Sequence, residues 1–152
     1  MAKWYFEDFE LGQRIALPPI RVSPEEIVAF AREYDPQPMH IDPEAAARGH
    51  FGGLIASGWH TAALMMRSLA TWFREAEVQS LGSPGVKEMR WLTPLRPDVG
   101  YAGHFEVREL RRAASRPMGI VGQSTVFADP AGTEAFRVAG VGFFACRPEA
   151  RA

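Results

Sequence analysis

The segment from about Trp59 to Glu75 limits what this chain can fold into more than any other part of the sequence. Read at helical spacing, its apolar residues cover most of the circumference of a helix. They are Trp59, Ala62, Ala63, Met65, Met66, Leu69, Ala70, Trp72 and Phe73. The polar residues fall on one narrow stripe, formed by His60, Arg67, Thr71 and Arg74. A helix that is apolar almost all round is buried almost all round, so we expect a sheet to wrap around this one.

The second half of the chain supplies residues for that sheet. Strand-like runs separated by Pro, Gly and Asp turns are predicted there. These runs are Val86–Leu92, Tyr101–Leu110, Gly119–Ala128 and Ala135–Cys146. An earlier strand is predicted at Arg14–Ile20, and its Pro18-Pro19 pair restricts it to an edge or an end. One buried helix followed by long antiparallel strands predicts an α+β protein with the hot-dog architecture, in which the sheet wraps around a long central helix.

A further helix is predicted upstream of the long one. Ser23 is a good N-cap, Pro24 suits the first helical position, and Glu26 stands three residues after the cap as in a capping box. Pro36 ends this helix at or before Asp35, because the residue before a proline avoids the helical conformation.

Composition indicates one domain, taken as residues 1–152. The net charge is −1 and no run of Lys or Arg stands out, so nucleic-acid binding is not expected. No apolar stretch approaches the roughly 20 residues that span a bilayer, so no membrane partner is expected. The N-terminus lacks the apolar core of a signal peptide, and Cys146, the single cysteine, cannot form an internal disulfide. We therefore expect a soluble, cytoplasmic protein.

A short loop ahead of the long helix carries residues that suit proton transfer. Asp35 and His40 are five positions apart, and Pro36 and Pro38 stiffen the backbone between them. General acid–base chemistry requires an acid and a base that are held in place, with pKa values that the surroundings can move. A structural interpretation competes with this one, because Asp-Pro commonly opens a turn and His40 could cap the following helix.

The same loop resembles a known family. Asp35–Asp42, the Ala45-Ala46 pair and the glycine-rich Phe51–Gly58 segment are similar to the hydratase motif of the MaoC-like family, which includes the R-specific enoyl-CoA hydratases. The usual pattern of that family is Asp, any residue, Asn, Pro, an aliphatic residue, His, any residue, Asp. The resemblance continues through the long helix and extends more loosely to Val86–Trp91 and Pro94–Asp98.

The resemblance implies a hydro-lyase with Asp35 and His40 as its catalytic pair. Members of the family hydrate a trans-2-enoyl-CoA or, in reverse, dehydrate a 3-hydroxyacyl thioester. His40 suits the general base, since an unperturbed imidazole titrates near pH ~6.5. Asp35 suits the partner that orients the water and delivers a proton to the α-carbon, a role that a carboxyl fills better if burial raises its pKa. The implied partner is an acyl-CoA thioester as substrate, with acyl carrier protein left open as the alternative carrier, and no cofactor is expected.

The thioester oxygen gains negative charge as water adds and needs hydrogen-bond donors. Gly58 stands where the long helix begins, at its free N–H groups and the positive end of its dipole. We therefore assign the Gly58 N–H to the oxyanion site as a catalytic group; the alternative is that Gly58 only makes a sharp turn. Ser57, Trp59 and Gln37 are the candidate substrate-binding residues. Gln37 replaces the usual Asn of the family, and Ser57 stands where many members have His.

Two rival functions remain open. A hot-dog thioesterase would hydrolyse the thioester, although such enzymes typically lack a rigid Asp-to-His loop ahead of the central helix. A non-catalytic acyl-CoA binding subunit is the other, and an intact Asp35 and His40 argue against it.

The remaining cationic residues give weaker signals. The histidines do not form a metal-ligand spacing, so no metal is expected. Lys87, Arg90 and Arg96 could meet the phosphates of coenzyme A or could simply be solvated. Relatives commonly join their sheets, so the resemblance also implies a homodimer or a higher homo-oligomer.

Overall fold

A five-stranded antiparallel sheet organises the chain, with the strand order β1-β3-β4-β5-β2. The computed structural model describes residues 3–148. The strands are β1 (Arg14–Ile20), β2 (Ser80–Trp91), β3 (Tyr101–Arg112), β4 (Met118–Ala128) and β5 (Glu134–Ala145). The predicted domain of residues 1–152 extends beyond the described residues at both ends. The first two residues of the N-terminal segment, in which no signal peptide is expected, also lie outside the described range.

Four α-helices lie between β1 and β2. They are α1 (Pro24–Tyr34), α2 (Pro38–Ile41), α3 (Pro43–Arg48) and α4 (Gly58–Glu75). The predicted capping box of α1 is confirmed, because the Ser23 hydroxyl accepts from the Glu26 N–H and the Glu26 carboxylate accepts from the Ser23 N–H. A cap of this kind stabilises a helix start by about 1 kcal/mol.

The long helix α4 packs on the sheet and confirms the predicted α+β hot-dog class. Its buried apolar residues, Leu64, Met65, Leu69 and Trp72, join one core cluster with side chains from β3 and β5, such as Phe105 and Phe136. The Ser68 hydroxyl also donates to the Pro18 carbonyl oxygen at 2.5 Å, which ties the helix to β1. No helix within residues 3–148 is long and apolar enough to cross a membrane.

The expectation that α4 is buried almost all round was wrong. Trp59 is 63% exposed and Met66 is 46% exposed, and together with Ala63 and Ala70 they form an exposed stripe on the helix. His60, placed on the polar stripe from sequence, is buried instead. The sheet covers only one side of α4, so an apolar circumference does not translate into complete burial within one chain.

Strand β2 is longer than predicted and forms one edge of the sheet. The sequence predicts a start at Val86, whereas the strand begins at Ser80. Its first half is irregular: Gly82 and Gly85 have φ values of 105° and 149°, and the register with β5 shifts on both sides of this segment. A Ser-Pro-Gly run reads as a turn, so sequence periodicity missed this half of the strand.

Candidate active site

The loop between α1 and α3 brings Asp35 and His40 together. Asp35 is the C-cap of α1, and Pro38 begins the single-turn helix α2 with the fixed φ that suits a first helical position. His40 lies on α2 and is buried. The sequence predicted a rigid loop here but not α2, because a helix of four residues leaves no periodic pattern to read.

The backbone fixes the orientation of the His40 ring. Its Nδ1 lies 2.8 Å from the carbonyl oxygen of Ile55. A carbonyl oxygen can only accept a hydrogen bond, so Nδ1 carries the proton and donates it. In the neutral ring, Nε2 is therefore the acceptor, and it faces the Oδ2 atom of Asp35 at 3.5 Å.

Two side chains donate to the carboxylate of Asp35. The Ser57 hydroxyl donates to Oδ2 at 2.6 Å, and the Gln37 amide donates to Oδ1 at 2.7 Å. The hydrogen bond from Ser57 is the main cause that lowers the pKa of Asp35, followed by that from Gln37, while burial acts in the opposite direction. The condition favoured from sequence, an Asp35 pKa raised by burial, is therefore not met: the carboxylate is held ionised.

The N-terminus of α4 lies beside this pair. Gly58 is the first residue of the helix, so its N–H has no acceptor within the helix. Trp91 packs directly on Gly58: a Cβ added to this glycine would lie 2.8 Å from Cε2 of the indole. The indole Nε1–H donates to the Gly58 carbonyl oxygen at 2.7 Å. Close packing against Trp91 is therefore a structural reason for glycine at this position.

A pocket of about 320 Å³ opens at this point. Its wall includes His40, Gly58, Thr61, Phe51 and Trp91. His40 and the first residue of α4 thus line a largely apolar space, an arrangement typical of small-molecule sites, while Asp35 is not among the lining residues.

The candidate substrate-binding residues take different places. Gln37 and Ser57 are bonded to Asp35, and the Ser57 side chain is fully buried. Trp59 is mostly exposed and meets Trp91 edge to face, with ring centroids 5.7 Å apart. Their assignment to substrate binding stays a prediction.

Sequence reasoning missed three features of the site. The first is Trp91, which closes over Gly58 from the far end of β2. The second is the main-chain carbonyl of Ile55. The third is Arg96, whose guanidinium donates to the carbonyl oxygens of Phe51 and Gly53 at 2.6 and 3.4 Å and fastens the loop at the pocket rim. The sequence shows which residues stand at positions 91 and 96 but not what they contact, since each contact spans more than thirty positions.

The other charged groups lie apart from the pocket wall. Lys87 and Arg90 form ion pairs with Glu109 and Glu88. Within residues 3–148, no group of three or more His, Cys, Asp or Glu side chains lies close enough to hold a metal ion. His60 stacks on Phe30 with ring centroids 4.4 Å apart, and burial lowers its pKa.

An antiparallel sheet packed on a long helix, with an Asp–His pair ahead of that helix, defines a hot-dog protein. The chain belongs to the MaoC-like dehydratase family: the family model described as a MaoC-like domain matches residues 8–126. A solved MaoC-like dehydratase from Rhodospirillum rubrum is 35% identical, with a TM-score of 0.84, and the match covers 95% of this chain and 98% of that one.

Two further proteins are similar to this chain, one in sequence and one in fold. The uncharacterized protein YdeM of Bacillus subtilis is 35% identical over 94 residues, covering 60% of this chain and 64% of YdeM. The match thus spans less than two thirds of the length of this curated relative. The (R)-hydratase of A. caviae involved in PHA biosynthesis shares the fold, at 24% identity and a TM-score of 0.66, over 93% of this chain and 99% of that one.

Proposed function

We propose that the protein catalyses the reversible hydration of a trans-2-enoyl thioester of coenzyme A. The observation that carries the proposal is the placement of two acceptors, His40 Nε2 and Asp35 Oδ2, 3.5 Å apart beside the N-terminus of α4. Membership of the MaoC-like dehydratase family and the hydratase fold of the A. caviae enzyme support the same reaction class.

Both acceptors suit a single water molecule. Water can donate one hydrogen bond to His40 Nε2 and the other to Asp35 Oδ2, which fixes the direction of its oxygen lone pairs. The oxygen then forms a bond to the β-carbon as the pair takes one proton from the water. That proton returns to the α-carbon, so the elements of water are added and nothing else is consumed. Acid–base groups positioned in this way typically contribute about 10² to 10⁴-fold in rate.

The α4 N-terminus suits the other charge that the reaction creates. Negative charge develops on the thioester oxygen as the β-carbon is attacked, and N–H groups that point at that oxygen stabilise it. Gly58 lines the pocket and its N–H has no acceptor within α4, so we assign it to this oxygen. The positive end of the helix dipole acts in the same direction.

We also propose a homodimer. The exposed stripe of α4 is formed by Trp59, Ala63, Met66 and Ala70. It lies near strand β2, since Trp59 meets Trp91 and Met66 shares a pocket wall with Val86. Strand β2 bonds only to β5 within the described sheet. An apolar stripe beside an open strand edge is best covered by another copy of the same surface. A cytoplasmic location stays a prediction from the single cysteine.

One set of assays tests the proposed function. Crotonyl-CoA is mixed with the protein and the loss of enoyl absorbance is followed beside a free-thiol assay. We expect loss of the enoyl signal without thiol release. Thiol release in its place would support a thioesterase, and binding of the thioester without either change would support a non-catalytic binding subunit.

A further inference from the structure

The carboxylate of Asp35 is held by one donor on each oxygen. Ser57 donates to Oδ2 from the residue before α4, and Gln37 donates to Oδ1 from the residue before α2. We propose that Ser57 and Gln37 are positioning residues, which fix the Asp35 carboxylate so that Oδ2 faces His40 Nε2. This inference rests on the proposed function for its catalytic meaning, but its structural part stands on the geometry alone.

The direction of the Ser57 hydroxyl follows from its two contacts. Its oxygen lies 3.3 Å from the Trp59 N–H and 2.6 Å from Asp35 Oδ2. An N–H can only donate, so the Ser57 oxygen accepts from Trp59, and its single proton points at Asp35. The hydroxyl thus caps α4 and holds the carboxylate at the same time. The Ser57 side chain is fully buried, so its hydroxyl does not exchange these two bonds for bonds with bulk solvent.

Two donors favour the ionised carboxylate. If Asp35 were protonated, one of the two donors would bond to a hydroxyl oxygen, which is a weaker acceptor than a carboxylate oxygen. Hydrogen bonds to the charged form lower the pKa of a carboxyl group, and here Ser57 is the main cause and Gln37 the second. Asp35 therefore enters the reaction as a fixed anion, which orients the water and the His40 ring.

The two positioning residues differ in how firmly they act. The Ser57 side chain is buried, and its hydrogen bond to the Asp35 carboxylate is short and charge-assisted. The Gln37 side chain and its hydrogen bond to Asp35 are exposed. Solvent can take over a bond that is exposed, so removal of the Gln37 amide should have the smaller effect. The order of the two effects is itself part of the inference.

Carboxyl carbon NMR shifts followed against pH test this directly. The Asp35 resonance is the one that disappears in Asp35→Asn. In Ser57→Ala we expect its titration midpoint to rise, because the main hydrogen bond that favours the ionised carboxylate is removed. In Gln37→Leu we expect a smaller rise. Ser23→Ala is the matched control, because it removes a helix N-cap at the far end of α1 and leaves Asp35 untouched.

The kinetics of hydration give a second reading. In Ser57→Ala we expect kcat to fall by roughly tenfold with little change in KM, and the acid limb of the pH profile to move up with the NMR midpoint. A loss of stability alone, as in Ser23→Ala, would not move that limb.

The outcomes separate the two proposals. An unchanged Asp35 midpoint in folded Ser57→Ala overturns the positioning role of Ser57. If Ser57→Ala does not fold, Gln37→Leu decides instead, and an unchanged midpoint there overturns the inference. If the midpoint rises while the wild-type protein leaves crotonyl-CoA unchanged, the positioning of Asp35 is supported and the proposed hydratase function fails.

Discussion

The indole of Trp91 lies against the backbone of Gly58, and its Nε1–H donates to the Gly58 carbonyl oxygen at 2.7 Å. The contact joins the end of an edge strand to the first residue of the long helix. Trp91, which forms part of the pocket wall, therefore packs directly against Gly58, whose N–H we assign to the thioester oxygen.

Substitution of Gly58 should expose this coupling. In Gly58→Ala the new methyl group would lie 2.8 Å from the Trp91 ring, so we expect a loss of about 1 to 3 kcal/mol in the free energy of unfolding. Trp91→Ala in the same chain should restore part of that loss, since it removes the clash. Chemical denaturation of the two single mutants and the double mutant measures the coupling. Simple additivity of the two losses would contradict the contact.

The proposed catalytic pair, Asp35 and His40, gives the sharpest kinetic prediction. We expect Asp35→Asn and His40→Ala each to lower hydration by roughly 10² to 10⁴-fold. The hydration rate of the double mutant should be only slightly lower than that of the less active single mutant, because both groups act on one water. The measurement is hydration of crotonyl-CoA, with circular dichroism to verify the fold. Near-normal activity of folded His40→Ala would leave the loop with a structural role only.

His60 should make the protein less stable in mild acid. Burial lowers the pKa of this ring in the folded state, Arg67 lowers it further, and Glu26 opposes them. A folded pKa below the unfolded one means that stability is fully present above pH ~6.5 and is lost as the pH falls. Among the described residues its Nδ1 has no hydrogen-bond partner, so a charged ring gains little compensation there.

Denaturation followed against pH checks this expectation. His60→Phe should show a weaker loss of unfolding free energy between neutral and mildly acidic pH than the wild-type protein. His50→Phe changes an exposed ring and serves as the control. Equal slopes for wild type and His60→Phe would show that His60 does not titrate across this interval.

The proposed dimer depends on the exposed side of α4. Met66→Lys places a charge in the middle of the apolar stripe, so we expect a shift from dimer to monomer in sedimentation velocity. Leu11→Lys is the control, because Leu11 is 71% exposed but lies in the turn before β1, at the opposite edge of the sheet. A wild-type protein that sediments as a monomer at micromolar concentration would contradict the proposal.

Periodicity accounts for what the sequence predicted well. The helix α4, the capped start of α1 and the strands β1, β3, β4 and β5 follow from local spacing, and the structure confirms them within a few residues. The first half of β2 was not predicted, because a strand with Gly82 and Gly85 in left-handed conformations is held by its neighbour β5 and not by local preference.

The candidate site also has a part that the sequence predicted and a part that it did not. Asp35, His40 and Gly58 were singled out from one short motif and from the start of a helix. The bonds that shape their chemistry were not, since Ser57 reaches Asp35 across 22 positions and Trp91 reaches Gly58 across 33. Only the folded chain brings such partners together, and no local spacing encodes them.

The bond between His40 and Ile55 has a consequence for variation at this site. Its acceptor is a main-chain carbonyl oxygen, which every amino acid at position 55 would supply. No side-chain replacement there deletes the acceptor, so the ring tautomer is inherited with the path of the backbone. The side chains around the pocket can therefore vary while His40 Nε2 keeps its direction.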